Sequence, residues 1–276
     1  MPFVTLKDNS RMYYIEQGKG PVVVFVHGWV ASSLFFEEQV KYFGGHGYRA
    51  IAFDLKGCGQ SDKPKNARYR LQENAQEIDY ALGQIAGTEK VALVGHSMGA
   101  MIALCYATDA KLAKRLSGLV VVEGAAKLQN PVLDQYIEAM RTGAITINDR
   151  SSIENILVNL CFNPQYQKAN PKVIKQAVEV WLHNEQYVAV ASMEAIVKYY
   201  DVTDLLKHIK IPTLIIHAER DTFMPLAGGQ ALAKAIPNAE LVLFKPPTAH
   251  LVQIENPAAF NAAVEKFLRR VTGKPA

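Results

Sequence analysis

The residues of this chain able to do chemistry gather around one serine. Gly95-His96-Ser97-Met98-Gly99 has the G-x-S-x-G spacing, in which a serine sits on a sharp strand-to-helix turn and presents its hydroxyl. The glycines answer a steric need, because the turn is strained and side chains two residues either way would clash. Roughly 0.04 such matches arise by chance in a chain with 18 Gly in 276 residues, so the surroundings must carry the reading. They do. Val91-Ala92-Leu93-Val94 precedes as a strand, and Ala100 and Ala103 follow on a helix able to approach a sheet closely. A serine hydroxyl is a weak nucleophile and needs a base oriented by an acid. Asp221 follows the apolar run 212–220, and His250 lies in Pro246-Pro247-Thr248-Ala249-His250 after the run 239–246. The chemistry these three imply is nucleophilic acyl transfer.

The elements that must position them are legible from hydrophobic patterning. Residues 21–27, 49–55, 91–97, 116–124, 212–221 and 239–246 read as strands apolar on both faces, as strands covered by helices on both sides are. Helical patterns over 71–85, 98–109, 227–236 and 257–270 alternate with them, implying a mostly parallel sheet with right-handed crossovers. Residues 3–16 read as a hairpin turning at Asp8-Asn9, which predicts antiparallel edge strands. Between about 125 and 201 the pattern is helical only. One helix is expected to open at Asn130-Pro131 and end at Gly143. A second starts from a capping box of Ser151 and Glu154, a third opens at Asn170-Pro171, and a fourth spans about 185–200. Helices inserted there are expected to form a lid over the carboxyl ends of the strands. The expected domains are a core of 1–124 and 202–276 and a helical cap of 125–201.

With these segments in place, the chain resembles the α/β-hydrolase family over nearly its whole length. The order Ser97, Asp221, His250 is the family's order, and Pro212-Thr213-Leu214, Glu219-Arg220-Asp221 and His250 followed by Glu255-Asn256-Pro257 are similar to its signatures. The resemblance implies an α/β fold, a mostly parallel twisted sheet flanked by helices. His27-Gly28-Trp29 resembles the family's H-G-x loop, which implies that the backbone N–H groups of Trp29 and Met98 form the oxyanion hole. Asp54 to Ser61 resembles D-x-x-G-x-G-x-S and is read as a structural turn. Some members place the acid at the position of Glu123, which stays open as the rival to Asp221. Glu219 is expected to point to the opposite strand face.

The remaining histidines carry less. His27 and His96 are expected to shape loops and His217 to be a satisfied core residue, while His46, His183 and His208 show no signal. Cys58, Cys105 and Cys161 fit neither a zinc site nor a disulfide framework. Gly57-Cys58-Gly59 is no dinucleotide loop, since Asp62 occupies the third glycine position. No cofactor or metal is implied. Candidate pocket residues are Leu34 and Phe35 after the oxyanion loop, and Phe223, Met224 and Leu251 beside the acid and base. Trp181 and Met193 are expected to project from the cap.

The expected activity is hydrolysis of a carboxylic ester through an acyl-enzyme. Lactonase or enol-lactonase, cofactor-free perhydrolase and carbon–carbon bond hydrolase are alternatives on the same residues. Ser97 argues against haloalkane dehalogenases and the usual epoxide hydrolases, which use aspartate at the elbow. A ligand sensor with little turnover is the reading from another class. With 30 Lys+Arg against 26 Asp+Glu and no basic stripe, nucleic acid is not an expected partner. No apolar run approaches the ~18 residues of a membrane span, and the N-terminal stretch lacks a signal-peptide pattern. The expectation is a cytoplasmic monomer or homodimer acting on a small molecule.

Overall fold

In the computed structural model, which describes residues 2–129 and 131–273, eight strands form one sheet in the order β1-β2-β4-β3-β5-β6-β7-β8. The strands are β1 (Phe3–Thr5), β2 (Arg11–Gln17), β3 (Val22–Val26), β4 (Arg49–Phe53), β5 (Val91–His96), β6 (Leu116–Val122), β7 (Thr213–Ala218) and β8 (Glu240–Phe244). β1 and β2 are antiparallel, joined through Asn9 at φ 67°, and every pairing from β4 through β8 is parallel. The hairpin and the parallel sheet are therefore as the patterning predicts.

Period-two alternation along the strands makes two cores. Val22, Val24, Val26, Val91 and Leu93 face one side with α2 (Leu71–Ile85) and α3 (Met98–Thr108). Val23, Phe25, Ala92, Val94 and Val120 face the other side. There they meet Val40 and Phe43 of α1 (Glu37–Gly45) and Phe260, Val264 and Phe267 of α12 (Pro257–Thr272). β3, β5 and β7 are buried along their whole length. β8 departs from the expectation of two covered faces: it is the sheet's open edge, with Glu240 and Leu243 exposed.

Between β6 and β7 the chain leaves the sheet for a helical insertion. It comprises α4 (Pro131–Arg141), α5 (Arg150–Ile153), a π-helical turn over Glu154–Val158, α6 (Asn159–Cys161), α7 (Pro164–Ala169), α8 (Pro171–Leu182) and α9 (Gln186–Tyr199). After β7 come α10 (Leu226–Ala235) and α11 (Val252–Glu255). Asn130, the expected first cap, lies outside the described residues. Gly143 has φ 78° two residues past α4, as a helix stop requires. The capping box at Ser151 is corrected by the structure. Asp149 is the N-cap, its carboxylate accepting Ser152 N–H at 2.7 Å, while Glu154 faces Arg150. Asp149 reaches an N–H three residues on, so the helix starts earlier than the Ser151–Glu154 spacing implies. At the base of the insertion, Lys127 and Asp201 close the two ends by a β-bridge and a 2.8 Å ion pair. Among the described residues, no helix is long and apolar enough to cross a membrane.

Candidate active site

Ser97 stands at the junction of β5 and α3 with φ 55° and ψ −119°, a left-handed conformation that L-residues avoid. Its neighbours show why glycine flanks it. A Cβ on Gly95 would lie 2.2 Å from Gly99 O, and one on Gly99 would lie 2.2 Å from Val26 O. The turn is held by Ser97 N–H donating to Val122 O at 2.8 Å, so β6 fixes the backbone while the side chain stays at the strand end. Met98 opens α3, where the first-turn N–H groups have no intrahelical acceptor and the helix dipole is positive.

Asp221 lies in the turn after β7, buried. Its Oδ1 accepts N–H bonds from Phe223 and Met224, both 2.8 Å, and its Oδ2 accepts His250 Nδ1–H at 2.6 Å. Burial alone would raise this carboxyl. The neighbouring imidazole of His250, its hydrogen bond and the N–H of Met224 outweigh it and hold Asp221 well below the usual carboxylate range. His250 is 3% exposed and shares one cavity with Ser97, bounded by Gly28, Trp29, His96 and Phe223. Glu255 secures its loop by accepting Ala249 N–H and, from the insertion, Asn163 N–H, each at 2.6 Å.

The loop after β3 backs directly onto the serine, since a Cβ on Gly28 would sit 3.2 Å from Ser97 Cβ. His27 donates from Nδ1 to Gly28 O at 2.8 Å and accepts Leu55 N–H at Nε2 at 3.0 Å. That pattern needs a neutral ring, and burial lowers its basicity accordingly. Trp29 Nε1–H donates to Ser192 Oγ at 3.0 Å and Ala189 O at 3.2 Å, both on α9. Val30, at φ 46°, offers its carbonyl to Asn184 Nδ2 at 2.5 Å. The helical insertion thus grips the loop that carries Trp29.

His96 Nε2–H donates to His250 O at 2.9 Å, and burial, then the neighbouring His250, push its ring down to about 3. Asp54 serves the turn that follows β4. Its two carboxylate oxygens accept Ser33 and Gln60 N–H at 2.7 Å, and Ser61 donates to its carbonyl at 2.6 Å. Glu219 turns outward and pairs with Lys245 at 2.6 Å; residues two apart share a strand face, so it is the end of β7 at Ala218 and the turn that follows, not strand alternation, that separate it from Asp221. Glu123 goes inward: oxygens of Glu123 and Asp221 and a ring nitrogen of His250 lie within 4.8 Å of one another. A cation could use three such donors only by displacing the hydrogen bonds that already occupy Asp221.

Of the candidate pocket residues, Phe35, Trp181, Phe223 and Leu251 line the Ser97 cavity, joined from the insertion by Leu157 and Cys161. The cavity is small, about 30 Å³, room for about two waters. Met193 lines a second chamber of about 60 Å³, almost wholly apolar, inside the insertion. The two spaces have Trp29, Leu157 and Phe223 in common. Leu34 does not join them. It is 55% exposed and lines an outer groove of about 580 Å³, while the next residue, Phe35, turns inward against Trp181 at 5.6 Å between ring centroids. Met224 is buried outside both spaces, and its carbonyl accepts His217 Nε2–H at 2.8 Å. Sequence reasoning reads Ile153, Ile156 and Leu157 only as the apolar residues of a helix, and it places neither them nor Met140 in the pocket. Their apolar spacing marks a buried helix face, without saying that the face lines a chamber.

The alpha/beta hydrolase fold model matches residues 21–257. A non-heme chloroperoxidase of Kitasatospora aureofaciens is 28% identical over 98% of this chain and 100% of its own. A 2-hydroxy-6-oxononadienedioate/2-hydroxy-6-oxononatrienedioate hydrolase of Cupriavidus pinatubonensis is 28% identical over 96% of this chain and 94% of its own. Among solved structures, the enol-lactonase of Burkholderia xenovorans superposes with a TM-score of 0.86 at 22% identity, covering 97% of this chain and 99% of that one, a likeness of fold. With its sheet, its strained serine turn and a family match across most of its length, the chain belongs to the alpha/beta-hydrolase family.

Proposed function

We propose that this chain is a serine hydrolase of carboxylic esters, cyclic esters included, acting on small apolar substrates. The observation that carries the reading is the meeting, in one buried cavity, of Ser97 on its strained turn with His250 held by Asp221 at 2.6 Å. Ser97 Oγ attacks the carbonyl carbon and His250 Nε2 takes its proton, while Asp221 keeps the Nδ1–H tautomer in place. The N–H groups of Trp29 and Met98 receive the oxyanion, each worth ~3 kcal/mol in the transition state. His250 then protonates the departing alcohol and activates the water that releases the acid. Residues 125–201 act as the lid, since Leu157, Cys161 and Trp181 cover the serine.

The size and lining of the two spaces support the substrate class. A chamber bounded by Met140, Ile153, Ile156 and Met193 suits a short hydrocarbon chain, and a longer one requires the insertion to yield. Among the described residues, no Lys or Arg lines either space, which argues against a substrate that brings carboxylates to the serine, and so against the carbon–carbon hydrolase reading. Perhydrolysis uses the same acyl-enzyme with hydrogen peroxide in place of water.

The test is turnover of p-nitrophenyl esters, acetate through decanoate, by wild type and Ser97→Ala. Rapid hydrolysis lost in the variant, with a mass increment of one acyl group trapped on Ser97 by a slow ester, supports the reading. Equal rates in both proteins overturn it. Monochlorodimedone bromination with bromide, peroxide and a carboxylic acid, run in parallel, separates perhydrolysis from hydrolysis.

A further inference from the structure

Glu123 is buried beside the candidate site and has no part in the mechanism just described. It directly follows β6 with φ 50°, a conformation a glutamate adopts only under constraint. Its N–H donates to Ile216 O at 3.0 Å and its Oε1 accepts Ala218 N–H at 2.7 Å, so the adjacent strand β7 fixes both ends of the residue. The second oxygen, Oε2, receives no hydrogen bond, and a carboxylate oxygen of Glu123 lies within 4.8 Å of Asp221 and His250.

Counting donors locates the charge. Asp221 receives three, from Phe223, Met224 and His250, whereas Glu123 receives one. His217 Nε2 lies 3.1 Å from Glu123 Oε2, but its proton is directed to Met224 O at 2.8 Å, and Gly229 packs against the far side of the ring. Two carboxylates this close in a buried site cannot both be ionised. Other titratable groups offer no relief. Glu255 is engaged by Ala249 and Asn163, His96 by the carbonyl of His250, and burial keeps His217 and His96 neutral.

We propose that Glu123 is a neutral carboxylic acid whose hydroxyl donates to the Asp221 carboxylate, a positioning residue that acts through Asp221 on His250. This rests on the serine-hydrolase reading. Burial, then the Asp221 charge, drive the Glu123 carboxyl well above the ordinary range, in keeping with a proton held there at neutral pH. The pair carries one negative charge between two carboxyls. Asp221 therefore has a fourth donor, and its hold on the imidazolium is tempered.

The experiment compares pH profiles of kcat/KM for wild type, Glu123→Gln and Glu123→Leu, with infrared spectra at neutral pH. The glutamine amide can donate to Asp221 and accept from Ala218, so the acid-limb midpoint stays in place. Leucine removes the donor, leaves the Asp221 charge untempered, and moves that midpoint up by about one unit. The spectrum of wild type shows the carbonyl stretch of a buried neutral acid that Glu123→Gln lacks. An unmoved midpoint in a folded leucine variant overturns the proposal, as does a glutamine variant that shifts with it. Should the leucine variant fail to fold, the infrared band decides, and its absence from wild type is a refutation. Retention of activity by Ser97→Ala strikes the hydrolase reading instead, leaving the infrared result to judge the Glu123 proton separately.

Discussion

Replacing Asp221 by asparagine changes one oxygen to an amide, and the surrounding donors dictate which one. Phe223 and Met224 N–H both point at Oδ1 from 2.8 Å, so an NH₂ there would meet two donors. The amide oxygen must occupy that position, and the NH₂ then faces His250 Nδ1 at the 2.6 Å contact. To accept from it, the imidazole has to move its proton to Nε2, the nitrogen that should take the serine proton. The geometry survives while the base is in the wrong tautomer. The expected loss in kcat is roughly 10³–10⁴-fold, about 4–5.5 kcal/mol of transition-state stabilisation. The assay is steady-state p-nitrophenyl ester hydrolysis, with near-ultraviolet circular dichroism confirming the fold and KM expected within about threefold of wild type. A folded Asp221→Asn enzyme within tenfold of wild-type kcat would refute the reasoning, because the tautomer would then be set by something other than residue 221.

Gly99→Ala drives a Cβ to 2.2 Å from Val26 O, a backbone oxygen that no side-chain rotation can move aside, and should cost about 3 kcal/mol or more in urea denaturation. His96 is held neutral with its ring at about 3 against 6.5 when free, so it binds fewer protons folded than unfolded. Its contribution is whole above pH 6.5 and lost as pH falls toward about 3. His96→Gln should flatten that part of the dependence of Tm on pH, as scanning calorimetry would show. Met193→Trp fills the apolar chamber and should move the ester chain-length optimum to shorter acids by several-fold in kcat/KM, while the exposed Leu34→Ala leaves the series unchanged.

What was legible in the sequence is what depends on near neighbours along the chain. The turn at Ser97 needs glycine at 95 and 99 because atoms a few residues apart collide, and that constraint is written in five consecutive letters. The inner strands announce themselves because both their faces are covered, and α2 spans the residues 71–85 that its periodicity marks. The insertion was visible as a loss of alternation, although α7 was not, since six residues carry too little pattern.

Tertiary structure decided the rest, because it depends on which strand lies beside which. β6 and β7 pair in register, Val122 opposite Ile216, and only that adjacency sets the carboxyl of Glu123 against the turn of Asp221. Two acids 98 positions apart, read as rivals for one role, are brought side by side. Leu34 and Phe35 look equally apolar as letters, yet the short helical turn Ser33–Phe36 sends the first outward and the second onto Trp181. Residue types declare the chemistry available to the chain, while side-chain direction and strand order, properties of the packed whole, determine which groups share charge and space.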